Sequence, residues 1–264
     1  MTEIVFLGTS GAFTTDRRTN LAFIIERPGF RILVEVGPPI MYQLSRSGYK
    51  ATDIEHVFVS HLHGDHTLGF PMLALNRIDT VNPLRIYAGR TTLRHLRELW
   101  KVAYPDLDAL LVNSEWCERA EDRAERSEIA PGVILETRRL PHPPGAVTLG
   151  ARWEFDGGPA IAFVTDTIPN PTTVELARGC DLLIHEATFS AVLQPRHDPS
   201  TYFHSTARQA GEIGRQAGIR CLALVHLGPD ASNRPDVLGA EARADSNLKV
   251  IIPEDGERLC LGEN

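Results

Sequence analysis

Three histidines and an aspartate fall within six residues, His61-Leu-His63-Gly-Asp65-His66. Neutral imidazole nitrogens and a carboxylate oxygen are the donors that a borderline cation such as zinc prefers. The apolar run Val57-Phe58-Val59 just before them reads as a buried strand. Four polar groups packed this closely behind such a strand would be costly to bury without a cation to satisfy them. The stretch therefore reads as a metal site on a strand-to-helix turn, with Gly64 and Gly69 letting the backbone change direction. Such a position holds ligands rigidly while leaving them open to solvent.

Other apolar segments end in the same way. Val133 to Leu140 runs to Pro141-His142, Ala160 to Val164 stops just before Asp166, Asp181 to Ile184 meets His185-Glu186, and Cys221 to Val225 meets His226. Function gathers at strand ends in layered α/β structures. Bringing these ends to one edge would assemble about seven ligands, a number that suits two metals rather than one.

The elements that must position these ends follow from the hydrophobic periods. Segments 3–8, 21–26 and 31–36 read as strands of a hairpin-rich sheet, with Pro28-Gly29 as a turn. Residues 39–47 read as a helix with Ile40, Leu44 and Tyr42 inward, and 67–75 as a helix that carries the ligand loop into the core. Residues 84–87 form a strand, and 90–100 a helix with Leu93, Leu96, Leu99 and Trp100 at helical spacing. Residues 151–155 add a strand joined to 160–164 through Asp156-Gly-Gly-Pro. A short helix is expected over 172–178 and a longer one over 206–218, where Ala207, Ala210, Ile213 and Ala217 share a face and Gly218 is the stop. Residues 250–252 and 258–261 complete the strands. Between them, 105–130 is strongly acidic and reads as a solvated surface segment. His56 and His95 read as structural or exposed, His197 as exposed, and His185 as facing away from Glu186 by the period of two.

The chain has 264 residues, 42% of them hydrophobic, enough for one large domain with a buried core. No apolar run is long enough for a membrane span, and the N-terminus lacks the pattern of a signal peptide, so the cytoplasm is the default expectation. Cys117, Cys180, Cys221 and Cys260 are far apart with no CxxC pair, which argues against a zinc–thiolate site and a disulfide framework. The net charge of −7 lowers the expectation of a long nucleic-acid partner.

The cluster His61-x-His63-x-Asp65-His66, followed by single ligands after later strands, resembles the metallo-β-lactamase superfamily. Phe6-Leu-Gly-Thr-Ser-Gly-Ala-Phe13, His185-Glu-Ala-Thr-Phe189 and His204-Ser-Thr206 extend the resemblance to its ribonuclease Z-like branch, over nearly the whole chain. The resemblance implies a single domain over 1–264 with the α/β fold of that superfamily, a four-layer αββα sandwich. It implies that His61, His63 and His142 bind one metal, that Asp65, His66 and His226 bind a second, and that Asp166 bridges them. The ions would be two divalent metals, zinc first, with manganese, iron or nickel as alternatives. A water or hydroxide between them would be the nucleophile, and Glu186 with His204 would deliver a proton to the leaving group. Asp65, Glu186 and His204 are the catalytic candidates.

Departures from the family pattern shape the expected substrate. Glu35 stands where the branch commonly has an aspartate. The sequence around His226 lacks the aromatic and arginine of tRNA-processing members. Residues 143–165 leave no room for the long arm with which those members grip tRNA. The expectation is therefore a phosphodiesterase on a small-molecule substrate, with tRNA disfavoured, no membrane partner and a homodimer allowed. Hydrolysis of an ester, lactone, thioester, sulfate ester or β-lactam, and 3′ processing of tRNA, are the alternatives within the fold. A binding protein on a decayed scaffold is disfavoured by the complete ligand set. Diiron redox chemistry is disfavoured because no flavin domain can fit.

Overall fold

The computed structural model describes residues 1–107, 113–143, 145–244 and 246–262. Two seven-stranded sheets face each other. The first contains β1 (Thr2–Gly8), β2 (Ala22–Arg27), β3 (Phe30–Val34), β4 (His56–Phe58), β5 (Leu84–Gly89), β6 (Ser114–Arg119) and β14 (Arg258–Leu261), in the order β14-β1-β2-β3-β4-β5-β6. The second contains β7 (Glu125–Ala130), β8 (Val133–Leu140), β9 (Thr148–Phe155), β10 (Ala160–Val164), β11 (Leu182–Glu186), β12 (Cys221–Val225) and β13 (Lys249–Ile251), in the order β13-β12-β11-β10-β9-β8-β7. Each sheet is antiparallel on one side and parallel on the other: β3 to β6 run parallel in the first, β10 to β13 in the second.

The parallel halves need cover on both faces; the facing sheet covers one and the helices the other. Helices α1 (Ile40–Arg46), α2 (Gly64–Thr67), α3 (Phe70–Leu75) and α4 (Arg90–Ala103) accompany the first sheet. Helices α5 (Pro171–Ala177), α6 (Ala207–Ala217), α7 (Pro229–Ser232) and α8 (Pro235–Arg243) accompany the second. The period of two then sorts each strand between two cores. In β1, Ile4 and Phe6 face the other sheet with Phe23, Phe58, Trp153 and Phe163, whereas Val5 and Leu7 face the helices with Ile40, Leu44, Phe70 and Leu96. A third core, with Leu183, Leu222, Ala210 and Leu238, lies between the second sheet and its helices. The result is the four-layer αββα sandwich. Arg119 joins the sheets at one edge: its guanidinium, almost wholly buried, donates to Thr137 Oγ1, Ser127 Oγ and the carbonyls of Glu125 and Leu135.

Three expectations need correction. Tyr42 points outward, 61% exposed, because α1 buries the i, i+3, i+4 set Ile40, Gln43 and Leu44 instead. The helix expected over 67–75 is two short helices, α2 and α3, so Asp65 and His66 lie inside a helical turn rather than before it. The acidic stretch, expected only as a solvated surface segment, carries β6 and β7, and three of its glutamates are ion-paired: Glu115 with Arg85 at 2.9 Å, Glu118 with Arg90 at 2.9 Å, and Glu125 with Arg119 at 3.1 Å. Asp108 of that stretch lies outside the described residues. Helices α7 and α8 were not expected.

Candidate metal centre

The C-terminal ends of the parallel strands meet on one edge of the sandwich, as the layered architecture favours. From β4 the chain passes through Ser60 into the turn His61–His66. Thr67 Oγ1 donates to the carbonyl of His63 at 2.9 Å, and Val36 N donates to that of His66 at 2.9 Å, so the turn is fastened on two sides. Gly37 allows the second fastening, since a Cβ there would meet the Asp65 carbonyl oxygen at 2.2 Å. Asp166 and His226 follow β10 and β12 with φ of 42° and 52°. Non-glycine residues in this left-handed region mark places where surrounding structure enforces an unfavourable backbone.

Two sets of ligand atoms result. His142 Nε2 lies 3.3 Å from His63 Nδ1, and His61 Nε2 lies 3.5 Å from Asp166 Oδ2. On the other side, Asp65 Oδ2 lies 3.2 Å from His66 Nε2 and 3.3 Å from His226 Nε2. Asp166 Oδ1 faces the same two imidazoles at 3.4 and 3.3 Å. His61, His63, His142 and Asp166 thus form one group with metal-ligating spacing, and Asp65, His66 and His226 another. A tetrahedral ion with bonds of about 2.0–2.2 Å sets its ligand atoms about 3.3–3.6 Å apart. These separations suit such an ion. Within hydrogen-bond geometry, the buried atoms His61 Nε2 and His66 Nε2 have no partner among the described residues. A buried polar atom left so costs about 1–3 kcal/mol, and a cation would relieve it.

Neighbouring groups occupy Nδ1 of three of the rings. Ser60 Oγ engages His61 Nδ1 at 2.9 Å, and Thr188 Oγ1 engages His226 Nδ1 at 3.0 Å. Each contact leaves Nε2 for a cation. Glu35, at φ 66°, brings its carboxylate to 3.3 Å from His66 Nδ1 and accepts a hydrogen bond from Ser60 N at 3.2 Å. The longer side chain therefore still braces the ligand turn.

Charge follows this packing. Burial pushes His61 well below the ordinary imidazole value, aided by His66, and burial likewise lowers His63 and brings His142 down to about 4. Neutral imidazole is the form that ligates. Burial also opposes charge on His66, but Asp65, Asp166 and Glu35 outweigh it and raise that group well above 6.5. Burial works against the Asp166 carboxylate, yet His226, His66 and His61 hold it well below the usual carboxylate range. The centre therefore concentrates carboxylates that a divalent cation would neutralise.

Beside it, His204 Nδ1 lies 3.1 Å from Glu186 Oε1. Glu186 is fully buried and also accepts from Thr167 N at 2.9 Å and Thr188 Oγ1 at 2.6 Å. Burial disfavours charge on His204, but the Glu186 carboxylate prevails and pushes its pKa up to about 9. All nine candidates are thus brought to one edge. Glu35, Ser60 and Thr188 complete the surroundings. Glu35 carried a sequence signal as the residue standing in the branch's aspartate position, and Thr188, inside the stretch 185–189, through its period-two spacing from Glu186; Ser60 carried none. Of the other histidines, His56 is buried beside Tyr87 Oη, His185 is buried with its Nδ1 on the Glu186 carbonyl, and His197 is exposed.

The chain is similar to known proteins. A family model described as anti-Pycsar protein Apyc1 matches residues 2–204. The chain is 30% identical to a ribonuclease Z of Haloarcula marismortui, with 96% of this chain and 95% of that one covered. It is 29% identical to a ribonuclease Z of Halorubrum lacusprofundi, with 97% and 96% covered. Among solved structures, the metallo-β-lactamase-fold protein YhfI of Bacillus subtilis superposes with a TM-score of 0.79 at 20% identity, covering 98% of both chains. The short form of human tRNase Z gives 0.78 at 21% identity, covering 98% of this chain and 99% of the other. These last two likenesses show the fold.

The relatives overturn one expectation. A small-molecule substrate with tRNA disfavoured conflicts with near full-length relatives named ribonuclease Z. The physical error lay in reading net charge as local field. Glu115, Glu118 and Glu125 of β6 and β7 are paired with arginines, so those carboxylates are not a free barrier to a polyanion. A missing arm removes one contact surface and leaves the centre itself intact.

Proposed function

The chain belongs to the family described as anti-Pycsar protein Apyc1 and, with it, to the ribonuclease Z-like branch of the metallo-β-lactamase superfamily, and from that membership we propose a metal-dependent phosphodiesterase that cleaves RNA at a centre of two divalent ions. The observation that carries the reading is Asp166. One carboxylate turns Oδ2 toward His61 at 3.5 Å and Oδ1 toward His66 and His226 at 3.4 and 3.3 Å. His61, His63 and His142 would hold one ion, and Asp65, His66 and His226 the other, with Asp166 shared. Zinc suits this mixture of imidazole and carboxylate best. When bound, such ions lower the pKa of water and neutralise charge on a phosphodiester.

The protein's own groups do the rest. Ser60, Thr188 and Glu35 hold the imidazoles of His61, His226 and His66 in the orientation that presents Nε2. Asp65 turns its carboxylate to His66 and His226 together and keeps both in place. Glu186 engages Nδ1 of His204 and keeps that ring protonated. The free Nε2–H of His204 then donates its proton to the departing oxygen, and a positioned acid of this kind contributes about 10²–10⁴-fold.

The test is cleavage of a precursor tRNA by the metal-loaded chain, alongside bis-nitrophenyl phosphate. The expected result is removal of the 3′ trailer and hydrolysis of the ester, both abolished by chelator. Hydrolysis of the ester with the tRNA left intact would overturn the RNA part of the reading. A lactone or thioester turning over far faster than either would overturn the phosphodiesterase.

A further inference from the structure

The chain leading to His204 is lined with rings. Phe189 stacks with Tyr202 at a centroid distance of 5.7 Å and with His197 at 6.1 Å. A single 3-10 turn, Pro199–Tyr202, ends at Phe203, whose φ of 59° is left-handed. Such a backbone is unfavourable for an aromatic residue and persists where the surroundings enforce it. Two consecutive side chains then flank one ligand. Phe203 meets the ring of His142 edge to face at 6.3 Å and 78°, and His204 lies 6.1 Å from the same ring. Phe203 is half-buried, so part of it stays exposed.

From this juxtaposition, and resting on the phosphodiesterase reading, we infer that Phe203 is a stacking platform for a nucleobase of the substrate on its leaving-group side. A proton donor must reach the departing oxygen, so the group attached to that oxygen lies against the residues flanking the donor. Phe203 is the flanking residue that also touches a ligand imidazole. An aromatic face binds any base, because every base has a π-face, and unpaired RNA bases are recognised in this way. The ring offers no hydrogen bond, so it supplies affinity without reading base identity.

The experiment compares two inhibitors of bis-nitrophenyl phosphate hydrolysis by the metal-loaded chain: adenosine 5′-monophosphate and ribose 5-phosphate. They share phosphate and sugar, so the ratio of their inhibition constants isolates the base. The wild type should favour the nucleotide by about tenfold. Phe203→Leu should bring the ratio close to one, Phe203→Trp should keep it, and both should retain metal. Phe13, 74% exposed on the loop where Gly11 abuts the His226 ring, provides the control, and Phe13→Leu should leave the ratio unchanged. Equal constants in the wild type, or a ratio that survives Phe203→Leu, would overturn the platform, as would its loss in Phe13→Leu instead. If Phe203→Leu fails to fold, Phe203→Met replaces it. If the ester is not hydrolysed at all, the phosphodiesterase reading fails, and calorimetric binding of the same two ligands still decides the platform.

Discussion

At the scale of single residues, holding a metal and moving a proton fall to different side chains. Asp166→Ala should lose metal and activity together, since the removed carboxylate faces both ligand sets. His204→Ala should keep the metal and lose turnover by about 10²–10⁴-fold. A variant with normal metal and wild-type turnover would refute the assigned role. The pH profile gives a second handle. His204 is raised from 6.5 to about 9, so its charged pairing with Glu186 is fully present below 6.5 and is lost as pH rises through about 9. The acid form therefore persists at neutral pH, and kcat should fall above pH 9 in the wild type. Substrates with nitrophenolate leaving groups need little protonation and should lack that limb. The limb's presence in His204→Ala would contradict the assignment.

The ligand candidates were legible because few residue types can hold a metal, and they stood at the ends of apolar runs. Glu35 and Ser60 were harder to read. Their part depends on a left-handed φ and on a turn folding back, and neither leaves a mark in composition. Phe203 was invisible for the same reason.

At the scale of elements, one side chain governs the segment that carries His204. Glu241 of α8 is buried and accepts from Ser190 Oγ at 2.6 Å and Ala191 N at 2.8 Å, just after β11, and from Arg208 N at 3.2 Å in the first turn of α6. Both ends of the stretch 190–208 are thus tied to one carboxylate. Glu241→Ala strands those donors, at about 1–3 kcal/mol each where they stay buried. It should lower the melting temperature by roughly 5–10 °C and reduce kcat while leaving metal content unchanged. Calorimetry with metal analysis checks this, and loss of metal instead would show that the clamp supports the ligands rather than the acid. The sequence hid α8 because its buried set, Leu238, Gly239, Glu241 and Ala242, mixes a glycine and a glutamate into what would otherwise be an apolar stripe. It hid β6 and β7 because edge strands carrying paired charges look like surface loop. The strongly periodic elements, β1, α4, α6 and β12, were legible because nothing interrupts their apolar spacing; α6 adds the Thr206–Gln209 capping box and left-handed Gly218.

At the scale of the whole molecule, the two sheets are held together by one shared core, and the ligands come from both of them. Ion binding should therefore stabilise the chain as a unit. Metal-loaded protein should unfold in one transition, shifted upward relative to chelator-treated protein by an amount that grows with free metal concentration. Two separate transitions would argue against a single domain over residues 1–264. Net charge, −7 over the chain, does not say where the charges sit, and the partner class it suggested conflicts with near full-length relatives named ribonuclease Z.

The central claim is that one carboxylate serves two ion sites. Metal analysis of chain purified without chelator and reconstituted with zinc tests it most directly. About two equivalents per chain are expected. One equivalent or fewer after reconstitution would contradict it.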